Sequence, residues 1–247
     1  MIRRWVRPAC TLLGLLVGLL AGPVAAQVPA TPSLTYVERA IRSDPELPLP
    51  LVVVVHGLGD RPERFLPWVL RLRERETRAR VIAPQGPATY GEVFSWFPTR
   101  LPLSKPGPET VEGIERSADR LARLIEYVAV KRPTTGKAIV VGFSQGGVLA
   151  FALAARYPEL VQAAIPIAGT LPEPLLPAET LMSKPRIIAF HGGADDVVPL
   201  SGAEAATRAL RRAGAVVDLR IEKTRRHELP VALQDQVLDT LVELLKQ

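Results

Sequence analysis

Val140-Val141-Gly142-Phe143-Ser144-Gln145-Gly146-Gly147-Val148-Leu149 carries the decision about the fold. A β-branched run enters Gly-x-Ser-x-Gly, and an alanine-rich helical segment, Gln145 to Arg156, leaves it. Strand, sharp turn and helix therefore follow in the order that a strained nucleophile elbow needs, with the serine at the apex. The flanking glycines have a physical reason. A Cβ at Gly142 or Gly146 would collide with the neighbouring strand or helix. The same pentapeptide also arises by chance as a tight turn with an incidental serine, so the surrounding chain has to decide.

Working outward, Leu51-Val52-Val53-Val54-Val55 is an unbroken apolar run, as expected of a strand buried on both faces in a largely parallel sheet. Further short strands are expected at Arg80 to Ala83, Lys137 to Val141, Ala163 to Ala168, Arg186 to Phe190 and Val216 to Ile221. Between them lie segments of helical periodicity: Phe65 to Arg78, Thr110 to Lys131 with Thr110 as its cap, Ala203 to Ala213 closed by Gly214, and Pro230 to Leu245. Alternation of this kind predicts an α/β fold, a mostly parallel central sheet with helices on both faces, over residues 51–247. Ser33 to Ile41 offers an edge strand within the linker of residues 27–50. Pro84 to Pro108 is irregular and proline-rich, a length of loop that is uncommon unless it covers a site.

Residues 1–26 read differently. Arg3, Arg4 and Arg7 precede an apolar stretch from Leu12 to Leu20, and Val24-Ala25-Ala26 supplies small residues before Gln27. This is the pattern of a cleaved export signal, and its apolar core is shorter than the ~20 residues of a membrane span. The expected location is the periplasm or outside, with no stable span after cleavage. The only cysteine, Cys10, lies in that segment, so the mature chain would hold no thiol for a disulfide, a nucleophile or a metal. The formal charge of +6 would also fall, because three arginines and no acid leave with the signal. So small a surplus, without a basic-aromatic cluster, gives no reason to expect a nucleic-acid partner.

A serine nucleophile needs a base, and the base needs an acid to hold its tautomer. Three histidines are present. His56 and His191 stand at strand ends before glycine and are expected to brace turns, whereas His227 lies in the loop after the last strand. Ser144, Asp195 and His227 occur in the order Ser, acid, His, each on a loop after an expected strand. Backbone donors for an oxyanion would come from Gln145, directly after the serine, and from Leu58 within His56-Gly57-Leu58-Gly59-Asp60. Asp196 beside Asp195 lacks the ligand spacing of a metal site, so no metal is expected.

Taken together, His56-Gly57-Leu58-Gly59-Asp60, Ser95-Trp96-Phe97, Gly142-Phe143-Ser144-Gln145-Gly146-Gly147, His191-Gly192-Gly193-Ala194-Asp195 with Val198-Pro199, and His227 resemble the carboxylesterase, lysophospholipase and acyl-protein thioesterase family of α/β hydrolases. The resemblance runs over about residues 50 to 245. It implies hydrolysis of carboxylic esters or thioesters without a cofactor, with a small-molecule or lipid ester as substrate. Ser144 would be nucleophile, Asp195 acid and His227 base, with Leu58 and Gln145 as oxyanion donors, and Trp96 and Phe97 would line the acyl side of the cleft. The sequence departs from the family in three ways: Arg225-Arg226 precede the histidine, an export signal is expected, and Pro98 to Pro108 is either a lid or a packed loop. A catalytically silent hydrolase fold and a polymer or feruloyl-type esterase are the alternatives.

Overall fold

A computed structural model describes residues 33–103 and 105–247, without the Tyr90 side chain. The expected export signal and the start of the linker, residues 27–32, lie outside the described residues. Strands β1 (Tyr36–Ile41), β2 (Leu49–Val55), β3 (Ala79–Pro84), β6 (Thr134–Phe143), β7 (Val161–Ile167), β8 (Arg186–Gly192) and β9 (Val216–Glu222) form one sheet in the order β1-β3-β2-β6-β7-β8-β9. A small hairpin of β4 (Ala88–Tyr90) and β5 (Val93–Ser95) stands apart from it. Only β1 runs antiparallel to its neighbour; the remaining pairs are parallel. This is the mostly parallel α/β-hydrolase sheet.

The valine run of β2 shows why the sheet needs two covers. Side chains alternate across a strand, so Val53 and Val55 face a core built with α2 (Pro108–Lys131), α3 (Gln145–Arg156) and α4 (Leu200–Arg212). Val52 and Val54 face the opposite core, with α1 (Pro62–Val69) and α5 (Val231–Leu245). No position in Leu51–Val55 reaches water, and alternation with polar residues would bury unpaired groups.

Element boundaries differ from the sequence reading where proline and tertiary hydrogen bonds intervene. The single helix expected over Phe65 to Arg78 is α1 followed by a 3₁₀ segment, Leu70–Arg75. Pro67 sits inside α1 and has no N–H to continue the helical ladder. Thr110 is not the cap of α2. That helix starts at Pro108, a position that suits proline's fixed φ, and the Thr110 hydroxyl instead donates to the Pro98 carbonyl at 2.8 Å. The proline-rich segment before α2 is also tied down by Leu103 N–H, which donates to the Val197 carbonyl at 2.9 Å. Among the described residues, no helix is long and apolar enough to cross a membrane.

Candidate active site

The elbow is built by exclusion of side chains. A Cβ on Gly142 would lie 2.1 Å from the Gly146 carbonyl oxygen, and one on Gly146 would lie 2.0 Å from that of Val55. Strand β6 can turn into α3 only with both positions bare. Ser144 between them has φ 56° and ψ −116°, a conformation rarely adopted by a residue with a side chain. The turn is held there by Ser144 N–H donating to the Ile167 carbonyl at 2.9 Å, at the end of β7. Ser144 Oγ is thereby presented at the carboxyl edge of the sheet.

The other two residues arrive from neighbouring strand ends. Asp195 follows β8 and is buried, with Oδ1 accepting the backbone N–H groups of Val197 (3.0 Å) and Val198 (2.8 Å). Its Oδ2 lies 2.8 Å from Nδ1 of His227, which follows β9. Nε2 of the same ring is 2.9 Å from Ser144 Oγ. The Asp195 carboxylate fixes the tautomer, because it can only accept: Nδ1 carries the hydrogen and Nε2 is left to accept from the serine hydroxyl. Burial alone would raise the Asp195 pKa, but the hydrogen bonds from His227, Val198 and Val197 outweigh it and hold the carboxyl below its ordinary value. Phe143, the residue preceding Ser144, lies against the imidazole with ring centroids 5.0 Å apart. Three residues separated by as many as 83 positions thus form one chain of hydrogen bonds.

The other histidines are structural. His56 accepts from Gly86 N–H at Nε2 (3.0 Å) and directs Nδ1 to the Gly57 carbonyl (2.7 Å). His191 donates its Nε2 hydrogen to the Val198 carbonyl at 2.8 Å. Burial lowers the pKa of both below the usual imidazole value.

A cavity of about 310 Å³ opens over Ser144 and His227, with Leu58 and Gln145 in its wall. The backbone N–H groups of Leu58 and Gln145 meet no acceptor among the described residues. Thr99, Leu101, Leu103, Val197 and Val198 contribute further walls that the sequence reading did not pick out. Val197 and Val198 had a signal, since they follow Asp195 and hold its carboxylate. Leu101 and Leu103 had only the length of the proline-rich segment around them, a loop expected to cover a site, and nothing that singled out these side chains.

Trp96 and Phe97 do not line this cavity. Both are almost fully buried, 2 % and 1 % exposed. The indole Nε1 donates to the His56 carbonyl (2.9 Å), while Gln145 accepts Trp96 N–H at Oε1 and donates from Nε2 to the Phe97 carbonyl, each at 2.9 Å. The pair ties the His56 strand end to the first residue of α3 and borders the neighbouring cleft of about 620 Å³ rather than the cavity over Ser144.

Arg226 projects into solvent, 70 % exposed, with Nη2 2.5 Å from Asp196 Oδ2. Arg225 acts through its backbone: its carbonyl accepts Ala194 N–H, and a Cβ on Gly192 would strike it at 2.3 Å. The arginine pair leaves the cavity open. Asp60 at its rim accepts from Arg64 Nε at 2.7 Å. Among the described residues, no group of three or more His, Cys, Asp or Glu side chains is placed to hold a metal.

The phospholipase/carboxylesterase profile matches residues 38–242. The chain belongs to that family. A probable carboxylesterase of Oryza sativa subsp. japonica is 29 % identical over 174 residues, covering 66 % of this chain and 65 % of the relative, just under two thirds of its length. The solved structure of esterase PE8 is 27 % identical, with a TM-score of 0.73, and covers 85 % of this chain and 99 % of its own. Acyl-protein thioesterase 2 of Zea mays, 22 % identical with a TM-score of 0.64 over 85 % of this chain and 99 % of its own, shares the fold. Family membership brings ester hydrolysis into view, and the strand-end loops are where its chemistry has to be sought.

Proposed function

We propose that this member of the family is a serine esterase acting through an acyl-enzyme on Ser144, with a small-molecule or lipid carboxylic ester or thioester as substrate. The observation that carries this reading is the hydrogen-bonded series from Asp195 through His227 to a serine held at φ 56°. His227 Nε2 accepts the Ser144 proton as Oγ attacks the substrate carbonyl carbon. The tetrahedral oxyanion is received by the Leu58 and Gln145 N–H groups, main-chain donors that need no reorganisation. Collapse expels the alcohol or thiol, which takes the proton from His227, and leaves the acyl group on Oγ. A water deprotonated by His227 then attacks the acyl-enzyme, and the acid is released as Ser144 regains its proton. Throughout, Asp195 keeps Nδ1 protonated and offsets the charge of the imidazolium.

The cavity walls of Leu101, Leu103, Val197 and Val198 favour an alkyl portion of the substrate beside the carbonyl. Export on residues 1–26 belongs to the same proposal, supported by the basic, apolar and small-residue segments of that stretch. Fractionation of expressing cells, with N-terminal sequencing of the product, would find Gln27 at the amino terminus outside the cytoplasm; an intact Met1 in the cytosol refutes that part.

Ser144→Ala should lower kcat/KM for 4-nitrophenyl butyrate by roughly 10⁴- to 10⁶-fold with the fold retained. The wild-type protein should be labelled by a fluorophosphonate and the variant should not. A folded wild type that neither labels nor turns over the ester is a silent member of the family.

A further inference from the structure

Beside the Ser144 cavity lies a second, larger cleft of about 620 Å³, between the β4–β5 hairpin and α2. Leu58, Gly59 and Thr99 belong to the walls of both, so the two spaces are neighbours. The larger cleft is bordered by Arg116 and Arg120, one helical turn apart on α2, and by no carboxylate.

The charges just before Arg120 on α2 are matched. Arg116 lies 3.2 Å from Glu112, Glu115 lies 2.9 Å from Arg156, and Asp119 accepts from the Tyr157 hydroxyl at 2.6 Å and faces Arg156 at 3.6 Å. Arg120 is half-buried and has neither an ion pair nor a side-chain hydrogen bond among the described residues. Half-burying a guanidinium without a carboxylate costs solvation that an incoming anion would restore, and five N–H donors in a fixed fork suit an oxyanion.

We propose that this cleft is an anion subsite, and that the preferred esters carry a carboxylate or phosphate remote from the scissile carbonyl, paired with Arg120. The inference rests on the reading of Ser144 as nucleophile. It names a substrate class with two ends: an apolar portion over Ser144 and an anionic terminus on α2.

The test uses two matched pairs of substrates. Mono-4-nitrophenyl suberate against 4-nitrophenyl octanoate places the charge on the acyl side. 2-(Butanoyloxy)ethyl phosphate against the corresponding methyl ether places it on the alcohol side. In at least one pair, Arg120→Gln should lower kcat/KM for the anionic ester about tenfold, chiefly through KM, as expected for one charge-assisted hydrogen bond. The neutral partner should stay within about twofold, and Arg120→Lys should restore much of the loss. Suberate binding to Ser144→Ala, followed by isothermal titration calorimetry, should weaken in parallel when Arg120 is also replaced. Equal losses for charged and neutral esters, or no effect of Arg120→Gln on either pair or on suberate binding, overturn the proposal. Hydrolysis of the neutral esters in that case leaves the nucleophile assignment standing. Loss of all turnover in the wild type refutes that assignment, and the suberate measurement still decides the subsite.

Discussion

His191 and His227 both lie near the same carboxylate oxygen, one at the end of a strand and one in the loop after another, yet their surroundings give them different chemistry. His191 Nε2 is 3.7 Å from Asp195 Oδ2, and His227 Nδ1 is 2.8 Å from it. The His191 side chain is 1 % exposed and its Nε2 hydrogen is committed to the Val198 carbonyl. The His227 side chain is 14 % exposed, and its second nitrogen meets a hydroxyl that can give up a proton. Both are imidazoles beside an acid. Only the ring whose free lone pair faces Ser144 can serve as a base, and the ring whose donor is spent on a carbonyl holds the acid's loop in place.

The largest expected effect separates the two rings directly. His227→Ala should lower kcat/KM for 4-nitrophenyl butyrate by roughly 10⁴- to 10⁶-fold, and adding Ser144→Ala should cost little more, because the residues act as a unit. His191→Gln, which can still donate to Val198, should leave the rate within about tenfold and act mainly on thermal stability. A His191→Gln rate as low as that of His227→Ala would erase the distinction.

Asp195 is shared by both rings, and Asp195→Asn should cost about 10⁴-fold in kcat, since an amide in place of Oδ2 favours the wrong tautomer of His227. Its binding of a neutral substrate should change far less. Steady-state kinetics that show the loss in KM instead would place Asp195 outside the proton path.

The smallest effect is on stability against pH. His56 and His191 have folded pKa values below the ordinary 6.5, so the unfolded chain binds protons that the folded chain refuses once the pH falls below that value. Stability should therefore decline as the pH drops from about 6.5. Asp195 has the opposite origin with the same direction. Its lowered pKa contributes stability that is complete above its unfolded value of 3.8 and is lost as the pH falls through the folded one. Thermal melts from pH 7.5 to pH 3 should show a decline beginning near pH 6.5 that His191→Gln makes shallower, then a steeper fall in the most acidic range. A flat Tm between pH 7 and pH 5 would mean that neither ring is held neutral by burial.

Much of the site was legible because strand-end loops carry their meaning in local chemistry. Gly142 and Gly146 announce an elbow for the same reason that the structure requires them: backbone oxygens stand where a Cβ would be. Leu51 to Val55 announces a strand covered on both faces because every one of its side chains meets a core. Trp96 and Phe97 border the neighbouring cleft instead of the Ser144 cavity, for an equally physical reason. Large aromatic residues beside a site suit a substrate wall and a buried brace alike, and the difference lies in the His56 carbonyl and the Gln145 side chain, distant in the chain. The break after α1 was legible in Pro67, whose missing N–H acts locally, whereas Thr110 lost its capping role to the Pro98 carbonyl, which reaches it only after the chain has folded back.

The amino-acid sequence by itself determined the alternation of strands and helices, the strained serine turn, and the residue types that a proton relay needs. Those follow from periodicity, the steric demands of glycine and the chemistry of single side chains, all of which act within a few residues. Tertiary structure alone decided that Trp96 and Phe97 brace the His56 strand end against α3, and that Arg120 borders a cleft without a counter-charge. These depend on which strand ends become neighbours in the order β2-β6-β7-β8-β9. Neighbourhood of that kind is set by packing across the whole sheet.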